Sequence, residues 1–225
     1  MTAETTAAPG PIAPAGSPAS TGRGKREKPE VRRAMIVAAA RAVILRQGLT
    51  ATGLRDIAAE GAVSVGTVTY HFGSVTEILD EVVALETDRF YAGTVEEVDA
   101  DPDPVHGIRL LVEPLFDGTD ASESHWRLWS DYWTAVSRKP ALTPERLERL
   151  RVWEACLVRT IRRGVEAGVF RQVDAPEVAL KVAAYSDGIA TQLSQKVPGL
   201  DTARALEWIW TLLDAELADG TPLFR

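Results

Sequence analysis

The sequence predicts an all-α protein, and three observations lead there. Apolar residues recur at i, i+3, i+4 and i+7 in one segment after another, beginning with Ile36, Ala39, Ala40, Val43 and Ile44; that spacing places them on one face of a helix. No segment shows the sustained alternation of β-branched residues that a half-buried strand needs. Pro104, Pro140, Pro144, Pro176 and Pro198 stand at or between the helical runs, where helices tolerate proline.

The elements follow in order. Nineteen of residues 1–22 are Ala, Pro, Gly, Ser or Thr, a composition that cannot bury enough apolar area to offset the entropy of ordering. Arg23, Lys25, Arg26 and Lys28 follow as a basic arm, lying along phosphates or simply solvated. Residues 1–29 are therefore read as a disordered tail. The first helix runs from Glu30 to Gly48, a glycine suited to a left-handed cap. Short helices follow over Leu54–Glu60 and Val65–Phe72, the second with Ser64 as N-cap. Ser74-Val75-Thr76-Glu77 has the spacing of a capping box and opens a long helix to about Thr94. Asp101-Pro102-Asp103-Pro104 breaks the chain. Further helices are expected at about 104–117, 122–138, 143–167, 175–196 and 202–218.

With 225 residues, of which 45% are hydrophobic and 25% charged, the chain has ordinary globular composition. The longest apolar stretch is cut by Arg41 and is too short to span a membrane. One cysteine, Cys156, cannot form an intrachain disulfide, which fits a reducing cytoplasm. Charge is asymmetric. Residues 1–76 hold nine Lys/Arg against five Asp/Glu, and residues 77–225 hold sixteen against twenty-seven. An acidic body with a basic first third suits a nucleic-acid-binding head. Enzymatic chemistry finds little support. His71, His106 and His125 have no metal-ligand spacing, Cys156 sits on an apolar helical stretch, and no phosphate-binding glycine loop occurs. The reading is of a non-enzyme that needs no cofactor or metal.

Two short helices joined by a tight turn, within a three-helix unit at residues 30–76, suggest a helix-turn-helix. Ile57, Ala58, Val63 and Val68 supply its small core. The stretch from Thr52 to Phe72, with Arg33, Ile36-Val37, Ala39-Ala40 and Gly48 before it, resembles the DNA-binding signature of TetR-family transcriptional regulators. That resemblance covers about residues 31–79. It implies that Thr52 anchors the first motif helix on phosphate, and that Arg55 reaches a guanine edge or a phosphate. The alternative for Arg55 is a surface pair with Asp56 or Glu60. Ser64 and Gly66 shape the start of the recognition helix. Val65, Thr67, Thr69 and Tyr70 match groove-facing positions, where Val65 or a threonine methyl meets a thymine methyl. His71 matches a phosphate contact, or is satisfied locally. Three departures stand out: Thr69 where the family has an aromatic, Gly61-Ala62 for its Ala-Gly, and Val75 for its Lys.

Residues 77–225 are then implied to be an effector-binding and dimerisation domain. Trp126, Trp129, Ser130 and Trp133 share one helical stripe, and Trp153 lies on the next helix. They are either core or the walls of a ligand pocket. Glu113, Asp131, Glu154 and Asp187 are acids placed to line such a pocket, and acids with Trp faces suit a cationic ligand. The runs Trp126–Pro140, Gly164-Val165-x-x-Gly168-x-Phe170 and Asp187-Gly188 are similar to the C-terminal domain of the choline-responsive BetI-like subgroup. Val182, Tyr185, Ile189 and Leu193 form a stripe with Val178 and Ser186, and Leu206, Ile209 and Leu213 form another with Leu212. They serve either a four-helix dimer interface or the interior of the monomer. The expectation is a cytoplasmic, bacterial, homodimeric repressor. It binds a pseudo-palindromic double-stranded DNA operator and is released by a small-molecule effector, with no membrane partner. The alternative is a helical interaction protein that has lost specific DNA binding.

Overall fold

The computed structural model describes residues 28–137, 148 and 150–224. The expected tail up to residue 27, and the expected start of a helix at 143–147, lie outside the described residues. Among the described residues there are helices and no strands. They are α1 (Pro29–Gln47), α2 (Leu54–Glu60), α3 (Val65–His71), α4 (Val75–Ala100), α5 (Pro104–Val112), α6 (Asp120–Val136), α7 (Val152–Glu166), α8 (Ala175–Ser194) and α9 (Thr202–Leu217), with 3-10 turns at Leu49–Ala51 and Glu113–Phe116.

The caps follow from the sequence. Ser64, Ser74, Asp103, Thr119, Asp174 and Asp201 each accept a backbone N–H of the helix they precede. Glu77 completes the Ser74 cap by accepting from Gly73 N–H, one residue earlier than a capping box requires. Gly48 has φ +78°, as a helix-ending glycine should, with ψ at 158° rather than in the left-handed helical range.

Two boundaries differ from expectation. α4 continues to Ala100 instead of stopping near Thr94. Its last carbonyls find a partner far away in sequence: the Arg163 guanidinium donates to the carbonyls of Val98, Asp99 and Asp101. Residues 104–117 divide at Glu113, where Pro114 removes a helical donor and the chain tightens into a 3-10 turn.

Two apolar clusters organise the fold. The first joins Ile36, Ala40 and Ile44 of α1 to Ile57, Val68 and Phe72 of the motif and to Ile78, Leu79, Val82 and Val83 of α4. The second joins Tyr91 and Val98 of α4 to α5, α7, α8 and α9. Position 76/77 is thus no break in the chain, because α4 runs unbroken through it. Leu128, Trp129 and Tyr132 of α6 also belong to the first cluster, so α6 wedges the acidic body against the head. Each fully buried Ile or Leu of these clusters contributes about 1.5–3 kcal/mol by leaving water.

Candidate functional site

The helix-turn-helix is built on close approach. Gly61 N–H and Val63 N–H return to the carbonyls of Ile57 and Ala58, closing α2. A Cβ at Gly61 would lie 3.3 Å from both the Ala39 methyl and the Ile57 carbonyl oxygen. Glycine stands there for space, and Ala62 takes the left-handed conformation at φ 48°. The end of α3 is locked by Arg33, whose guanidinium donates to the His71 carbonyl at 2.7 Å and to Glu81 at 3.3 Å while lying 4.0 Å over the Phe72 ring.

The predicted DNA-facing residues divide. Val65 is 39% exposed and Tyr70 82%, and Ser64, Gly66 and Thr69 are also exposed. Thr67 and His71 are half-buried, with His71 edge-on to Tyr70. Arg55 is exposed. Both of its alternative partners are engaged elsewhere: Asp56 accepts Gly53 N–H at 2.8 Å, and Glu60 pairs with Arg46 at 3.1 Å. Thr52 differs from expectation. It is buried, and its hydroxyl donates to the Gly48 carbonyl at 2.8 Å, fastening the turn before α2.

In the body, α6, α7 and α8 surround a cavity of about 190 Å³ lined by Trp126, Trp129, Trp133, Trp153, Glu154 and Asp187, with Tyr91 and His125 behind them. Trp126 and Trp153 are held by N–H donation to the carbonyls of Leu115 and Leu111. Trp133 lies against Trp129 with ring centres 5.2 Å apart. Burial pushes the Asp187 carboxyl up to about 6, opposed by a hydrogen bond from Trp133. Glu154 pairs with Arg151 at 3.2 Å. His125 bonds through Nε2 to the Tyr91 hydroxyl at 2.7 Å and stacks on Phe90, and burial pulls it down to about 3.

Two predicted pocket acids lie elsewhere. Glu113 is exposed and pairs with Arg109. Asp131 points from the opposite side of α6 to the head, where it accepts Leu49 N–H at 3.0 Å. A helical stripe says which residues share a face, not which neighbour that face meets. Sequence reasoning missed Tyr91 and the pocket role of His125. The signal for His125 was present, since it lies one turn before Trp129 on the same stripe. The Trp129 indole N–H and Ser186 hydroxyl are buried beside this pocket with no hydrogen-bond partner among the described residues.

The stripes assigned to a dimer interface also divide. Val182, Ile189, Ile209 and Leu213 are buried within the protomer's own core. Leu193 and Leu206 are half-buried. The outward apolar residues of α8 and α9 are Leu180 (50% exposed), Tyr185 (39%) and Trp208 (40%). Among the described residues, no group of three or more His, Cys, Asp or Glu side chains is placed to hold a metal, and no helix is long and apolar enough to cross a membrane.

Comparison with known proteins agrees with this geometry. The family description "Bacterial regulatory proteins, tetR family" matches residues 36–82, and "BetI-type transcriptional repressor, C-terminal" matches residues 104–218. The HTH-type transcriptional regulator BetI of Vibrio campbellii is 28% identical over 191 residues, covering 84% of this chain and 94% of its own. That of Burkholderia lata is 27% identical over 190 residues, covering 84% and 95%. Among solved structures, a transcriptional regulator from Saccharomonospora viridis in complex with choline superimposes with a TM-score of 0.71 at 26% identity, over 84% of this chain and 98% of that one. A TetR transcription regulator from Haloarcula marismortui, at 20% identity and TM-score 0.69 over 84% and 99%, shares the fold.

Proposed function

Because this chain belongs to the TetR family of bacterial transcriptional regulators, with a C-terminal domain of the BetI type, we propose that it is a homodimeric cytoplasmic repressor. It binds a pseudo-palindromic operator and releases it when a small organic cation fills the aromatic pocket. One observation carries this reading: α6 is shared. Trp126, Trp129 and Trp133 wall the pocket, and Trp129 also packs in the head's apolar cluster. On its other side Asp131 holds the turn that leads into the motif. A ligand that moves the Trp stripe therefore moves the head.

The pocket chemistry supports a cation. Indole faces attract positive charge, and Asp187 supplies the counter-charge, Glu154 being paired with Arg151 at the pocket wall. Choline in the related S. viridis structure points the same way. Dimerisation through Tyr185 and Trp208 of α8 and α9 fits a two-fold operator, whose half-sites lie about 34 Å apart, one helical turn of DNA. Coupling between ligand and operator is reciprocal: each weakens the other by the same factor.

The test has two stages. Selection from random duplexes at two salt concentrations should enrich a two-fold-symmetric site. Choline should then weaken binding to that site, while its neutral isostere 3,3-dimethylbutanol should not. Uniform, salt-sensitive retention without enrichment would remove the operator. Equal effects of the two ligands, or none, would remove the cationic effector.

A further inference from the structure

We propose that the aromatic pocket holds a second subsite, for an oxygen atom of its ligand. The Trp129 indole N–H of α6 donates to that oxygen and the Ser186 hydroxyl of α8 shares it. The ligand is therefore an organic cation that also carries a hydroxyl, ether or carbonyl oxygen. This rests on the cationic-effector reading above and adds a group that indole faces and a carboxylate do not address.

The pocket's own hydrogen bonds isolate the two groups. Four indoles line the cavity. Trp126 donates to the Leu115 carbonyl, Trp153 to the Leu111 carbonyl and Trp133 to Asp187. The fourth, Trp129, is 8% exposed and its N–H has no partner among the described residues. An indole N–H is a donor only, so nothing but an acceptor can satisfy it.

Ser186 is 2% exposed and equally unpartnered. A hydroxyl inside a helix ordinarily turns back to the carbonyl four residues earlier. Thr87, Thr134, Thr160, Thr191 and Thr211 all do so in this chain. Ser186 does not, and it lines the same cavity as Trp129. His125, one turn before Trp129, adds a third orphan at this end: its Nε2 is spent on the Tyr91 hydroxyl, while its Nδ1 is buried without a partner. Buried polar groups left unmade destabilise the empty pocket, and a ligand oxygen removes that penalty on binding.

The experiment compares choline with n-propyltrimethylammonium on the full-length protein. The two cations have the same charge and nearly the same shape, and differ by a hydroxyl against a methyl. Calorimetric titration should show choline binding about three- to tenfold more tightly, the value of one or two neutral hydrogen bonds. Ser186→Ala should narrow that ratio by weakening choline alone. A purely structural role for Ser186 would weaken both cations equally. In 15N spectra, choline should move the Trp129 indole N–H resonance, assigned with Trp129→Phe, further downfield than n-propyltrimethylammonium does. Equal affinities for the two cations, an unchanged ratio in Ser186→Ala, or equal displacements of the indole resonance would each overturn the oxygen subsite and leave the cationic effector intact. Binding of neither cation would overturn both.

Discussion

The carboxylate of Asp131 on α6 accepts a hydrogen bond from the backbone N–H of Leu49 at 3.0 Å, across 82 residues of sequence. Leu49 opens the 3-10 turn between α1 and the helix-turn-helix, so this bond ties the pocket-bearing helix to the head. Arg41 and Glu86 form a second tie, 2.7 Å long, between α1 and α4.

Removing the first tie should uncouple the two sites. Asp131→Ala leaves a half-buried N–H without its partner and should cost about 1 kcal/mol of stability. The factor by which choline weakens operator binding should also shrink. Asp131→Asn keeps an acceptor oxygen and should restore much of the coupling. Titrations of operator with and without choline, beside urea denaturation, separate coupling from stability; an undiminished factor in Asp131→Ala would assign the coupling to another contact.

Two pocket groups give opposite pH dependences. Asp187 has its folded value raised to about 6, above the ordinary 3.8. The fold favours its neutral form, so its contribution to stability is present below about pH 4 and is lost as pH rises through 6. His125 is depressed to about 3, below the ordinary 6.5. Its contribution is present above pH 6.5 and is lost as pH falls toward 3. Urea midpoints against pH should therefore show Asp187→Asn more stable than the parent at pH 8 and no different near pH 3. His125→Gln should have a shallower loss of stability between pH 6.5 and 3. A bound cation favours ionised Asp187, so choline affinity should rise as pH passes 6 and become flat in Asp187→Asn.

The turn at Gly61-Ala62 should respond asymmetrically to substitution. Ala62 holds φ at 48° and is exposed, so Ala62→Gly should stabilise by about 0.5–1 kcal/mol. Gly61→Ala brings a methyl against Ala39 and the Ile57 carbonyl and should destabilise by about 1 kcal/mol. Thermal denaturation of both variants checks the sign of each.

Gly164 lies beneath the Phe170 ring, which occupies the space a Cβ would need. The Val169 and Phe170 N–H groups both return to the Gly164 carbonyl, and Gly168 turns the chain at φ +70°. Gly164→Ala should therefore cost about 3 kcal/mol, visible as a lower urea midpoint, with Ala167→Ser at an exposed neighbouring site nearly neutral.

Legible in the sequence were most of the helices, the Ser64 and Ser74 caps, the helix-turn-helix and the Trp stripe. Each of these follows from interactions within one turn of helix or one tight loop. Ser64 meets Thr67 N–H, Ser74 meets Glu77 N–H, and Gly164 meets Phe170, all within six residues. Tertiary structure decided which way shared helices face. It sent Asp131 to Leu49 and Asp187 into the pocket, and it turned Val182, Ile189, Ile209 and Leu213 inward while leaving Leu180 and Trp208 outside. It joined Tyr91 to His125 across 34 residues. Helical periodicity fixes the angle between side chains around one axis. In a layered bundle a helix such as α6 has packed neighbours on more than one side, and only their placement assigns each side its partner.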